Sequence, residues 1–363
     1  MSKKTLILIV CATITLMIAQ MVGSGSAFIE RFYYRGFFQV LRVAYDMTIG
    51  WLPIPMMYFF ILAIAYVIYR LVRGIRRQSG LKSKTKFIVF SIVQFLSVVI
   101  IYFYWAWGFN YNRVSIEDAL GIPVVEIDSI QLRALIEDTE TLMIEIRHKI
   151  NLDKITSKME SQGLRYENVC REGIEETLAS LDYPYRGRVR IRRLYPKGSL
   201  LRVSTAGVYW PFIFEGHIDP GLHPITWPFT MTHEMGHGYG FADEGTCNFL
   251  SWLSCTRHAD IFIQYSGWMG YFRYLLSDFR RAYPRDYGLL FDKLSPEIQK
   301  DLRDIAAYSN RYDDIFPEVR DVVYDSYLKS HGVQGGLINY SYIIKMAEGW
   351  KILEATRGMR PAK

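Results

Sequence analysis

Three long apolar runs in the first 108 residues limit what this chain can fold into. Residues 5–22 hold no charged side chain and follow Lys3 and Lys4, and residues 51–71 and 87–108 are almost as apolar. Each has about the 20 residues needed to cross the hydrocarbon layer of a bilayer. Three such runs gathered at one end of a chain read as membrane spans, whereas helices of a soluble core would be scattered through the sequence. The segment 23–27 is a weak cleavage site, so the first run reads as a retained anchor and not as a signal peptide. Trp51, Tyr58, Tyr66 and Tyr69 in the second run, and Tyr102, Tyr104, Trp105 and Trp107 in the third, suit the aromatic belts of a membrane interface.

Charge orients these spans and excludes one class of partner. Between residues 70 and 86 lie seven basic side chains and no acidic one; together with Lys3 and Lys4 they place the N-terminus and the second connection in the cytoplasm. Everything after the third span is then extracytoplasmic. Residues 1–86 carry 12 basic and 2 acidic side chains, and the whole chain is +7, so residues 87–363 amount to −3. The basic excess belongs to topology-setting segments, which argues against a nucleic-acid partner. The division that follows is a membrane domain over 1–109 and an external domain over 110–363. The loop 23–50 is rich in aromatic residues, with Phe28, Phe32, Tyr33, Phe37, Leu41 and Tyr45 recurring about every four residues. It reads as an amphipathic helix, lying either on the outer membrane surface or against the external domain.

The chemistry is concentrated in His233-Glu234-Met235-Gly236-His237. On a helix the two histidines share a face one turn apart and can reach one metal ion, with Glu234 beside them as a base for an attacking water. Pro228 suits the first turn of that helix, and Gly236, Gly238 and Gly240 loosen its end. Two acidic residues compete for the third ligand. Glu244 stands one turn before Asn248 on a second helix, while Asp243 completes the spacing HExxHxxGxxD, with Met269 available as a Met-turn.

The order HExxH, glycine-rich bend, then a helix carrying Glu244 and Asn248 resembles the gluzincin metallopeptidases. The chain also looks like an uncharacterised family of bacterial membrane-anchored gluzincin-like proteins, through Pro228-Phe229-Thr230, the helix Glu244-Gly245-Thr246-Cys247-Asn248-Phe249, and Tyr265-Ser266-Gly267. This likeness covers residues from about 100 to about 350. It implies zinc held by His233, His237 and Glu244, Glu234 as general base, and Asn248 steadying a ligand histidine. It also implies Tyr265 as the residue that stabilises the oxyanion; Tyr239, Tyr271, Tyr308 and Tyr324 are the other tyrosines for that role. An edge strand presenting Val208, Tyr209, Phe212 and Glu215 would hold the substrate backbone. The fold class expected is α+β: three N-terminal transmembrane helices, then a mostly helical zincin-like domain with a small sheet beside the HExxH helix.

Elsewhere the patterns are local. Asp128 with Gln131 forms a capping box for a helix running past Ile146, and residues 165–181 make another. The alternation over 188–192 predicts a strand with one wet face, whose arginines either bind an acidic substrate or simply face solvent. Residues 203–218 are β-rich, residues 259–281 are helical, and Ser295 caps a helix that Pro296 opens. Further helices are expected over 320–329 and 339–353. His148, His217, His223, His258 and His331 read as ordinary surface or loop residues. Of four cysteines, Cys247 and Cys255 lie about 12 Å apart on one helix, too far to bridge; a Cys170–Cys255 bridge stays open. The expectation is a zinc peptidase in the cytoplasmic membrane of a bacterium, with the lipid bilayer and a peptide or protein substrate as partners. The alternative is a non-catalytic zinc-containing membrane sensor or assembly factor.

Overall fold

In the computed structural model, residues 3–159, 161–315 and 342–358 are described. The fold is α+β and mostly helical. Three helices, α1 (Lys3–Val22), α3 (Met56–Arg76) and α4 (Leu81–Ala106), are long and apolar enough to cross a membrane. α1 lies along α4 through a seam of small and hydroxylated residues: Thr5, Ala12, Thr15 and Ala19 are buried. The Gln94 amide donates to Thr5 Oγ1 at 2.5 Å and the Trp105 indole to Thr15 Oγ1 at 3.2 Å. Such polar pairs hold helices together where lipid gives no hydrophobic drive. α3 meets α4 at Gly74, where a Cβ would overlap the Phe87 ring at 2.3 Å.

α3 begins five residues later than the apolar run. Pro53 and Pro55 keep residues 51–55 out of the helix, and the sheet described below holds this segment. The aromatic loop is helical as expected, with a π-helical stretch (Ile29–Phe38) running into α2 (Gln39–Thr48). Its inner face packs on residues that follow α4: Tyr34, Phe38 and Arg42 are fully buried, Tyr34 meets Phe241 edge-on at 6.0 Å, and Tyr45 stacks on Phe214 at 5.7 Å. Phe28, Phe32 and Phe37 form the outer, exposed face.

After α4 the chain continues through α5 (Ile116–Leu120), α6 (Ser129–His148), α7 (Leu152–Met159) and α8 (Gly163–Ser180). The capping box of α6 is present: Asp128 Oδ1 accepts from the Gln131 amide and the Gln131 side chain accepts from the Asp128 amide. Three short strands form one sheet in the order β1 (Arg190–Arg193), β3 (Glu215–Ile218), β2 (Gly207–Trp210), with β1 parallel and β2 antiparallel to β3. The arginines of β1 do not face solvent. Arg190 pairs with Glu167 at 2.6 Å and Arg192 with Glu215 at 3.3 Å, all four buried. A buried guanidinium is costly without such a partner, and neither partner is adjacent in sequence.

The remaining helices are α9 (Trp227–Gly238), α10 (Glu244–Thr256), α11 (Ile261–Ala282), α12 (Tyr287–Lys293), α13 (Pro296–Ser309) and α14 (Tyr342–Arg357). α9 lies across the sheet and is enclosed by α8, α10 and α11; α6 and α14 pack on the outer sides of α10 and α11. Ser295 caps α13 and Pro296 opens it, as read from sequence. Cys11, Cys170, Cys247 and Cys255 are all free, so Cys170 and Cys255 are unbridged. The helix expected over 320–329, residues 339–341, His331 and Tyr324 lie outside the described residues.

Candidate metal and catalytic site

α9 brings both motif histidines into one point. Helix formation after Trp227 is helped by Pro228 in the first turn, where a missing N–H costs nothing. Gly240 ends the run with φ +93°, a conformation that favours glycine. Gly236 and Gly238 serve a different purpose from the loosening expected. They stay helical and allow close packing, Gly236 against Cys247 and Gly238 against Val189. The chain then re-enters α10, whose N-cap is Asp243: its Oδ1 accepts from the Thr246 amide at 2.7 Å. That cap aims the next side chain, Glu244, back at the histidines.

With both imidazoles neutral, three acceptor atoms meet at one point. His237 Nδ1 donates to the Phe241 carbonyl at 2.9 Å, a partner that can only accept, so in the neutral ring the lone pair is on Nε2. His233 Nδ1 donates to Asn248 Oδ1 at 2.8 Å, which leaves its Nε2 in the same state. The two Nε2 atoms stand 3.2 Å apart, and the Glu244 carboxylate lies 3.1 Å from His233 Nε2 and 3.6 Å from that of His237. All the ligand atoms fall within 4.8 Å of one another. Such a set repels itself unless a cation sits at its centre, so the residues present suit a metal ion. Without a metal a proton fills that place: burial opposes charge on His237, but Cys247 and Glu244 raise it well above the usual imidazole range, and against burial His237 and His233 hold the Glu244 carboxyl well below the usual carboxylate range. Asp243 stays on its cap, and Met269 is buried inside α11, a helix and not a turn.

Glu234 lies under this point, over the centre of the sheet. Gly207 and Gly216 make room for it: a Cβ on Gly207 would sit 2.7 Å from Glu234 Oε1, and one on Gly216 would sit 3.2 Å from Glu234 Cβ. Burial pushes its carboxyl up to about 7, against the histidines and a Tyr209 backbone N–H that lower it. A carboxyl poised near neutrality is matched to accepting a proton and returning it. Cys247 is buried 3.4 Å from His237 Nδ1, and burial pushes its thiol up to about 11, so it remains an uncharged packing residue.

The other residues expected at the site fare unevenly. Tyr265 is fully buried and its hydroxyl is committed elsewhere, donating to Asp301 Oδ2 at 2.5 Å; Arg147 holds the same oxygen. Tyr239 and Tyr271 are likewise tied to Glu175 and Glu348, and Tyr308 stacks edge-on against His223. Val208 and Tyr209 do lie on an edge strand, β2. Phe212 instead stacks on Tyr102 at 5.8 Å and Phe60 at 6.1 Å. Glu215 is on the central strand, buried with Arg192 and His217. His217 is a core residue and His223 caps a short turn before α9, so neither is at the surface.

One residue at the site was not among the sequence candidates. Tyr274 is half-buried on α11, its ring 6.4 Å from that of Phe229 on α9; burial raises its hydroxyl above the ordinary phenol range, Glu244 adds to this, and Arg273 and Asn248 oppose it. The signal for it is the glycine pair on α11. Gly267 packs on Cys255 of α10, Gly270 packs on Phe229 of α9, and Tyr274 continues the same face one turn later.

The site is also fastened to the membrane segment. The Trp107 indole, just past α4, donates to the His237 carbonyl at 2.9 Å, and Arg113 donates to the Gly240 carbonyl at 2.5 Å.

The sequence profile of a family described as "Protein of unknown function (DUF3810)" matches residues 33–347. No curated protein and no solved structure matches the chain.

Proposed function

The chain belongs to the DUF3810 family, and we propose that it is a membrane-anchored zinc-dependent peptidase, a gluzincin-like hydrolase of peptide bonds. The observation that carries this reading is the convergence of three lone pairs, from His233, His237 and Glu244, beside a buried carboxyl poised near neutrality. Two imidazoles and one carboxylate leave a coordination position open, which is the ligand count of a catalytic zinc and not of a structural one. When bound, zinc would polarise the scissile carbonyl and make water acidic enough to attack near neutral pH.

The chain's own residues supply the rest. Asn248 and the Phe241 carbonyl hold the two imidazoles in the tautomers that leave Nε2 unprotonated. Glu234 takes the proton of the attacking water on its carboxylate and delivers it to the departing amine. The Tyr274 hydroxyl, in place of Tyr265, donates to the oxygen on which negative charge grows. The N-terminus is cytoplasmic and the site extracytoplasmic, in a bacterial cytoplasmic membrane, and the substrate is a peptide or protein near the bilayer.

A second reading, a zinc-containing sensor or assembly factor, has some support in the bonds that join the α9 end to the α4 exit. One experiment separates the two. The full-length protein in detergent micelles should retain one zinc per chain after Glu234→Gln and lose it after His233→Ala. Peptidase activity should fall by at least about 100-fold in both. A Glu234→Gln protein as active as the parent, or a parent without zinc, overturns the peptidase reading.

A further inference from the structure

We propose that Arg273 is the anchor for a carboxylate of the substrate, so that the site takes peptides bearing a free C-terminal carboxylate or an acidic side chain at a fixed distance from the cut bond. The inference rests on the peptidase reading for its substrate class, though its test does not depend on hydrolysis.

A cleft of about 560 Å³ opens beside the first turn of α9. Thr226 and Thr230 line it, and Thr230 is one turn before Glu234. Ala206 lines it too, directly before Gly207, over which the Glu234 carboxylate lies. α11 contributes Arg273. At Gly270 this helix touches Phe229 of α9, and the Phe229 amide donates to Ser266 Oγ at 3.1 Å. One turn beyond that crossing, consecutive residues part: Tyr274 goes to Asn248 and Glu244, and Arg273 goes to the cleft. A single turn of α11 therefore carries a phenol near Glu244 and a cation on the cleft, close enough for each to act on the other.

The buried arginines of the domain are already in ion pairs, Arg190 with Glu167 and Arg192 with Glu215 among them. Among the described residues no ion pair reaches Arg273, and its side chain is accessible. A guanidinium in a cleft binds a carboxylate through two parallel N–H donors. Asp313 and Asp314 also line the cleft, and Ser204 engages Asp314. A carboxylate is therefore welcomed at Arg273 and repelled near those two residues, which fixes its position. The cleft has space for a few residues of peptide.

The test measures binding to full-length, zinc-loaded Glu234→Gln protein in micelles, by anisotropy of a fluorophore on the N-terminus of the pentapeptide Ala-Phe-Ala-Phe-Ala. Three forms are compared: the free acid, its C-terminal amide, and the amide with Asp as last residue. The free acid should bind at least tenfold more tightly than the plain amide, since hydrogen bonds between charged groups contribute about 1.5–3 kcal/mol. Arg273→Ala should erase that preference and Arg273→Lys keep part of it. If the Asp-bearing amide matches the free acid, the anchor reads carboxylates from side chains as well as chain ends. If it matches the plain amide, the anchor reads the chain end alone. Equal binding of the free acid and plain amide, no binding of any form, or a preference that survives Arg273→Ala overturns the proposal. Glu234-dependent hydrolysis without the preference would sink the anchor and spare the peptidase; the preference without hydrolysis would do the reverse.

Discussion

Asp243 and Glu244 are neighbours with the same chemistry and opposite uses. Asp243 has an extended backbone (φ −81°, ψ 129°) and spends its carboxylate on the Thr246 amide, while Glu244 begins α10 and faces the imidazoles. Glu244→Ala should therefore abolish zinc retention in a chelator competition, and Asp243→Asn should leave affinity within about threefold, because Asn caps nearly as well. Asn248→Ala should weaken zinc about 10- to 100-fold, as expected for loss of a partner that orients a ligand. Metal loss after Asp243→Asn alone would restore the other assignment. Spacing left that choice open because both carboxylates fit a known register; what resolves it is a capping bond, which depends on where the helix starts. The tyrosine was less legible still. Tyr265 stands in the eye-catching triplet, but its hydroxyl belongs to Asp301. Tyr274→Phe should lower kcat about 100-fold with zinc content and KM little changed, the usual size for one oxyanion donor. Tyr265→Phe should lower stability and leave kcat alone; the opposite pattern would return the role to Tyr265.

At the scale of elements, apolar runs and caps were readable because they are local. The three spans, the capping box at Asp128 and the Ser295–Pro296 start all depend on residues within a turn of each other. The arginines of β1 were misread as solvent-facing because their partners, Glu167 and Glu215, come from α8 and β3, more than 20 residues away. The same distance hid what holds residues 50–56. Arg190 donates to the Gly50 carbonyl at 2.6 Å, Arg192 donates to that of Leu52, and Glu215 accepts from the Met56 amide at 2.8 Å. Charged side chains of the sheet thus fix the entry of α3, and delay its start to Met56. Glu215→Leu removes the carboxylate and strands Arg192 in the interior, so it should cost about 3–5 kcal/mol in denaturant unfolding. Adding Arg192→Met should recover most of that loss, since an apolar pair replaces an ion pair at little cost. A single variant as stable as the parent would show that the pair does not organise this corner.

The whole molecule places the candidate metal site directly against the segment that holds the three apolar helices. The Tyr102 hydroxyl of α4 donates to the Phe212 carbonyl at 2.9 Å, and Phe60 of α3 meets Trp210 edge-on at 5.8 Å, so the end of β2 rests on both helices. The exposed aromatic face of Phe28, Phe32 and Phe37 belongs to the loop between α1 and α3, at the same end. The opposite end of α3 and α4 carries Arg73, Arg76, Arg77, Lys82, Lys84 and Lys86. A balance of +10 in residues 1–86 against −3 in the rest sets one orientation, because basic connections resist transfer across the membrane. The outcome is measurable by labelling intact cells with a membrane-impermeant maleimide, starting from Cys11→Ala. The other three cysteines are buried and give little background. Ser79→Cys, exposed in the connection between α3 and α4, should react only after the membrane is permeabilised. Ser277→Cys, exposed on α11, should react in intact cells. The reverse result would put the zinc ligands in the cytoplasm, and the substrate would then have to be a cytoplasmic peptide meeting the inner face of the membrane.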